Sequence, residues 1–175
     1  MSTSPAIADR SATEGTGSVE CRVEVADSIE ACERLREPWL RLRERCGVHS
    51  PNTDPDRFLA VVGAMENARP HVVLFGSHEV PRAMIIGRST CRRQTHGIGY
   101  AHLRSPLLYA LDVVYEGLLT DGQEESLALS IAYIRNRLRD KNFDVVSFNH
   151  LRAEQAQSIR TGLRRALVSA PDVHW

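Results

Sequence analysis

Among the side chains of this 175-residue chain that could move protons for group transfer, Tyr115 and Glu116 are neighbours and Tyr133 lies further on. A carboxylate or phenol beside a nucleophile can accept or supply the proton that group transfer requires. Each also has a purely structural reading. Tyr115 and Glu116 fall at alternate positions of one predicted strand, so that one packs while the other meets water, and Tyr133 borders an apolar helical stripe. Of the seven histidines, His96 and His102 are the nearest pair, with Cys91 upstream, a spacing that fits no standard zinc pattern, so no metal site is expected. No Gly-x-Ser-x-Gly elbow or Walker-type loop is present, which leaves hydrolase and nucleotide-binding readings without an anchor.

The elements that must position these residues centre on 111–151. A short run rich in β-branched and aromatic residues, an acidic turn, a run of helical periodicity and a second short run spell a β-α-β unit. Leu127, Ile131, Ile134 and Leu138 form the helix's apolar stripe, and Arg135, Arg137, Arg139 and Lys141 crowd its end, where positive charge opposes the dipole. Asp121 and Glu124 have capping-box spacing, which predicts a helix start near Gly122.

Upstream, residues 1–18 are largely Ser, Thr, Ala, Gly and Pro and predict a disordered tail. Residues 19–25 alternate apolar and charged side chains, as a half-buried strand does. Asp27 and Glu30 have capping-box spacing before a stripe of Ile29, Cys32, Leu35, Trp39, Leu42 and Cys46, and Pro38 predicts a kink or two short helices there. Pro55 suits a first helical position, followed by Phe58, Leu59, Val61, Val62 and Met65. Residues 71–77 and 82–93 predict an antiparallel hairpin, 94–108 an irregular segment, and 153–168 a last helix.

Lys and Arg number 22, as do Asp and Glu, so no net field favours nucleic acid or an anionic membrane. Arg160, Arg164 and Arg165 read as a solvated face. Cys21, Cys32, Cys46 and Cys91 are unevenly spaced without a Cys-x-x-Cys, as expected of reduced thiols, and no apolar run approaches the roughly 20 residues of a membrane span. A cytoplasmic α/β (α+β) domain over 19–175 is the expectation.

This element order resembles the GNAT (Gcn5-related N-acetyltransferase) superfamily. The stretches LREPWLRL, VHSPNTDPDRFLAVV, VVLFG with RAMIIG, and YEGLLTDG with FDVVSFNHL are similar to the amino-terminal half of cellulose-biosynthesis-type (BioF2-like) acetyltransferases, over about residues 19–168. The resemblance implies a central mixed sheet flanked by helices, with its carboxyl-terminal hairpin incomplete. It also implies acyl transfer from acetyl-CoA or another acyl-CoA to an amine or hydroxyl of a small metabolite or polysaccharide precursor. Tyr115 and Glu116 are then the catalytic candidates.

Members of that superfamily bind the CoA pyrophosphate through backbone N–H groups of a Gln/Arg-x-x-Gly-x-Gly/Ala loop at a helix start. Gln94, Gly97 and Gly99 match that pattern, but they precede the strand at 111–119, and Pro106 opposes a helix after them. The corresponding junction is Thr120-Asp121-Gly122-Gln123-Glu124-Glu125, where three carboxylates repel phosphate. The resemblance therefore implies the non-CoA-binding half of a two-part enzyme, whose second half would follow Trp175; the alternative is a catalytically silent binding or assembly module. A sheet lacking its last hairpin has an unpaired edge, expected to be covered by a second copy in a homodimer, by the second half, or by the tail around 173–175.

Overall fold

A computed structural model describes residues 22–98 and 101–163, with the side chains of 94–98 and 101–103 outside the description. The tail at 1–18, most of the carboxyl-terminal segment, Gly99 and the tail at 173–175 lie outside the described residues.

The described residues build a five-stranded mixed sheet with helices on both faces. In order, β1 (Val23–Ala26) leads to α1 (Ile29–Arg34) and α2 (Arg36–Arg45), a 3-10 turn at Pro51–Thr53, and α3 (Pro55–Gly63). There follow β2 (Ala68–Gly76), β3 (Pro81–Ile98), β4 (Ala101–Thr120), α4 (Glu124–Arg139), β5 (Val145–Phe148) and α5 (Ala153–Gly162). The strands lie in sequence order, β1 to β4 antiparallel and β4 with β5 parallel. The expected fold class holds, and among the described residues no strand follows β5. No described helix is long and apolar enough to cross a membrane.

Helix starts differ from the expected caps. At α1 the cap is Ser28, whose Oγ accepts from Ala31 N at 3.1 Å, in place of Asp27. At α4 the cap is Gln123 with no side-chain cap bond, because the Asp121 carboxylate instead accepts from Gln123 N at 3.1 Å and stops one residue short of the helix. Pro38 acts as expected. The helix breaks at Leu35, which places Pro38 in the first turn of α2, where its missing N–H costs no helical bond.

Alternation along the strands splits the core in two. Val72, Leu74, Met84 and Ile86 face α1 to α3, around fully buried Leu35, Trp39 and Leu42. Val73, Phe75, Ala83, Ile85 and Leu111 face α4 and α5. Cys32 is buried, Cys46 half-buried and Cys91 exposed, all as free thiols, and burial pushes the Cys32 thiol up to about 12.

Two corrections concern β3 and β4. Residues 94–98 and 101–108, expected to be irregular, extend the β3–β4 hairpin, and Pro106 is accommodated at a bulge: Arg93 pairs with Leu107 but Thr95 with Arg104. A proline at a bulge leaves no ladder bond unmade. The second bulge is larger. Gly87 pairs with Val113 and Ile85 with Leu118, five steps on β4 against two on β3, leaving three residues extra. An odd excess reverses the inside-outside alternation, so the regular alternation expected at Tyr115 and Glu116 fails there.

Gly117 permits that bulge. A Cβ at this position would stand 2.5 Å from the Ile86 carbonyl oxygen and 2.8 Å from Val114 Cγ2. Gly122, at φ +85°, has nothing within 4 Å of such a Cβ. We therefore expect Gly117→Ala to lower the urea-derived unfolding free energy by about 2–3 kcal/mol through overlap with backbone. Gly122→Ala should cost about 1 kcal/mol through its dihedral alone. Equal losses would mean that the bulge relaxes around a methyl group.

Candidate functional site

The large bulge lies where two parallel strands part. β5 pairs with β4 only from Ala110↔Val145 to Val113↔Phe148. At that limit the Val113 carbonyl accepts both from Asn149 N at 3.3 Å and from Asn149 Nδ2 at 3.0 Å. Beyond it β4 runs on to Thr120 without β5 beside it. Gln155 of α5 fills part of the opening. Its Nε2 donates to the Leu118 carbonyl at 3.0 Å while its Oε1 accepts from Arg152 N at 3.1 Å, so the amide is held at both ends.

On the α3 side the divergence leaves an open cleft of about 200 Å3. Its apolar wall is Phe58, Val61 and Val62 of α3 with Val114 of β4; its polar groups are Asn52, Arg57, Arg88, Tyr115 and Asn149. The loop that presents Asn52 is fixed from α2. Trp39 Nε1 donates to the Thr53 carbonyl at 2.8 Å, Arg43 Nη2 donates to the Ser50 carbonyl at 3.2 Å, and Arg43 Nη1 reaches Asp54 Oδ2 at 3.3 Å. Asp54 also caps α3, its Oδ1 accepting from Arg57 N at 3.2 Å. One short segment is thus pinned by a buried indole and a bridging guanidinium; it carries Asn52 and leads directly into α3, which carries Arg57.

Of the sequence candidates, Tyr115 lines this cleft. The residue is 41% exposed, and its ring stacks on His150, with centroids 4.4 Å apart and planes at 16°. Glu116 is half-buried in the bulge at φ +56°, a left-handed conformation that a side chain with a Cβ rarely adopts. Lys141, the other non-glycine at positive φ among the described residues, follows the end of α4, where helices commonly turn left-handed. Glu116 has no helix end to account for it, and strain of this kind concentrates at functional sites.

Gln94 and Gly97 lie within β3, where the Gly97 backbone pairs with His102, away from any helix start; Gly99 is outside the described residues. At the β4–α4 junction the carboxylates are internally tied. Arg82 Nη2 meets Glu125 Oε2 at 3.0 Å and Arg82 Nε lies 3.9 Å from Asp121 Oδ2, while Glu124 is exposed. Asp121 already occupies the Gln123 N–H, and Ser126 N bonds the Gln123 carbonyl at 3.1 Å.

A second concavity opens on the α4 face. There His71 Nε2 lies 3.0 Å from Tyr133 OH, with Arg137 stacked over the Tyr133 ring at 4.9 Å. Tyr133, named from sequence as a proton-transfer candidate, is thereby partnered. Burial, reinforced by Arg137 and slightly opposed by Asp27, pulls the His71 imidazole down to about 4, and burial raises the Tyr133 phenol. Among the described residues no group of three or more His, Cys, Asp or Glu side chains could hold a metal ion.

Sequence reasoning missed Asn52, Arg57, Arg88, Asn149 and Gln155. Nothing in their local pattern sets them apart; they meet only because β4 bulges and leaves β5. Arg88 in particular sits in a strand whose neighbours read as plain alternation.

No protein-family model matches this chain, and no curated protein matches it. Solved structures with a similar chain trace include a ribosomal-protein-alanine N-acetyltransferase from Brucella melitensis, at TM-score 0.49 and 12% identity over 88% of this chain and 100% of that one. An aminoglycoside acetyltransferase from an uncultured soil metagenomic sample, in complex with sisomicin, is similar at TM-score 0.48 and 13% identity over 89% of this chain and 97% of that one. A transcriptional regulator from Bacillus halodurans C-125 is similar at TM-score 0.47 and 11% identity over 88% and 100%. At these values no residue role passes from those proteins to this chain.

The His71 pair makes stability depend on pH. Unfolding returns the imidazole to its ordinary value near 6.5, so between there and about pH 4 the unfolded chain binds the extra proton and stability falls as pH falls. The loss is complete below about pH 4 and is on the order of 3 kcal/mol. His71→Gln, which can still bond Tyr133, should remove that part of the slope. Parallel pH profiles for the two proteins in urea titrations would show that His71 is not held neutral.

Proposed function

We propose that this chain is a GNAT-type acyltransferase domain acting as the acceptor-holding half of a two-part enzyme. It binds an amine- or hydroxyl-bearing small molecule, a metabolite or polysaccharide precursor, while acyl-CoA is held by a second unit. The observation that carries this reading is the break in β4 at 114–117, which opens a cleft toward α3 while the opposite side of the divergence is filled by Gln155. An acyl donor has little to grip at the β4–α4 turn. Two of its three carboxylates lie at Arg82, and the amide of the cap residue Gln123 is already spent on Asp121. A pyrophosphate there would meet net negative charge.

In this reading Tyr115 is the cleft's hydroxyl donor, and Glu116 is the carboxylate whose strained backbone the bulge maintains. Either can serve the acceptor's proton once the acyl carbon is brought to it. A homodimer or a second GNAT-like unit supplies the donor and covers the β5 edge. The chain works in the cytoplasm, where acyl-CoA is available, and uses no metal.

The same closed turn also favours a second reading, a catalytically silent binding or assembly module. The two differ in whether the cleft takes a small acceptor. Millimolar acetyl-CoA should leave the melting temperature of this chain unchanged, whereas a binder at a hundredfold excess over its dissociation constant gains about 2.7 kcal/mol. A raised melting temperature with acetyl-CoA would return the donor site to this chain. No response to any small amine or alcohol would leave only the silent module.

A further inference from the structure

We propose that the cleft between α3 and the β4 bulge is a binding site for the oxyanion of a small molecule with a short apolar body, gripped by Arg88 with Arg57. The inference deepens the acceptor-holding reading, on which it rests only for calling the ligand an acceptor; the recognition chemistry comes from the cleft itself.

Arg88 carries the case. Two buried side-chain polar atoms among the described residues have no hydrogen-bond partner, Ser126 Oγ and Arg88 Nε, and only the second belongs to a charged group. Burying an N–H of a guanidinium without an acceptor is costly, so such a group is expected to have a partner in the functional state. The guanidinium's hydrogen bond is a soft one, Nη1 to Met65 Sδ at 3.3 Å. A thioether sulfur is a weak acceptor and neutralises no charge.

The obvious counter-ion is committed elsewhere. Asp112 stands directly across the β3–β4 ladder from Arg88. Yet its Oδ1 takes Arg92 Nη2 at 2.7 Å and the Ser147 hydroxyl, and its Oδ2 takes Thr90 Oγ1 at 3.0 Å. Among the described residues no carboxylate comes within 4.0 Å of the Arg88 guanidinium, and the same holds for Arg57. Two guanidiniums without an ion-pair partner therefore border one cleft, with the amides of Asn52 and Asn149 beside them.

A planar guanidinium fork matches the two oxygens of a carboxylate or the edge of a phosphate, and it does so more strongly where water is partly excluded. The apolar lining, Phe58, Val61, Val62 and Val114, offers nothing to an ion but suits a few methylene groups. The volume of about 200 Å3 limits the ligand to a small molecule.

The test uses the full chain without any acyl donor, so its failure and a failure of the acyl-transfer reading are separate results. 4-Methylpentanoate, its uncharged amide and inorganic phosphate are titrated while the arginine Nε–Hε resonances are followed by NMR. The carboxylate is expected to bind saturably and to move the Arg88 signal, the amide to bind at least about tenfold more weakly, and Arg88→Gln to weaken the carboxylate by a similar factor. Phosphate alone moving the same signal would assign the oxyanion to a phosphate ester. Arg57→Gln, on the exposed rim, provides a second loss should Arg88→Gln unfold, and Arg135→Gln on the exposed side of α4 should change nothing. Equal affinity for acid and amide, no saturable binding of either anion, or full affinity in folded Arg88→Gln and Arg57→Gln would overturn the proposal.

Discussion

The contact between Gly117 and the Ile86 carbonyl is the constraint on which the site depends. Only a residue without a Cβ can pass the β3 backbone that closely, and the approach lets three extra residues of β4 loop out between Val113 and Leu118. Because the excess is odd, Leu118 returns to the α4 face and Leu119 to the α1–α3 face, so both half-cores are completed beyond the bulge. A regular strand would place these two residues on the wrong sides. Cleft and core are therefore two consequences of one irregularity.

The two faces of the sheet divide the work. On the α1–α3 face, Trp39 and Arg43 hold the segment from Ser50 to Asp54 against α2, and α3 starts from it at a carboxylate cap. This fixes the wall of the cleft that carries Asn52 and Arg57. On the other face α4 and α5 seal the sheet, and the His71–Tyr133 pair is a buried polar contact that survives by staying neutral. Asp112 ties β3, β4 and β5 together just before the strands part, through Arg92, Thr90 and Ser147. That network strengthens the hinge of the divergence and leaves Arg88 without its cross-strand partner.

Charge placement separates the two sides of the divergence more clearly than shape. Among the described residues, the cleft is bordered by guanidiniums without ion-pair partners, whereas the β4–α4 turn carries carboxylates in excess of its one arginine. An anionic group is drawn to the first and repelled by the second. The proposed acceptor-holding role is consistent with that polarity.

Much of the fold was legible in the residues. Alternation located β2 and the first part of β3, Pro55 marked the start of α3, Pro38 marked the broken helix, and the 111–151 pattern became β4, α4 and β5. Each of these rests on local periodicity or on a backbone restriction, which a sequence carries by itself. The continuation of the hairpin through 94–108 was not legible, because Pro106 signals a break unless a bulge happens to receive it. Tyr115 and Glu116 were recognisable by type, but their setting was not: a bulge reverses alternation without changing composition. Arg88, Arg57, Asn52, Asn149 and Gln155 carry no local signal, since their significance is who stands opposite them. The order and kind of the elements are written in the residues alone, because these follow from short-range sterics and burial pattern. Which charges are neutralised and which face a cleft emerges only in the folded molecule, because that depends on strand register and on partners distant in the chain.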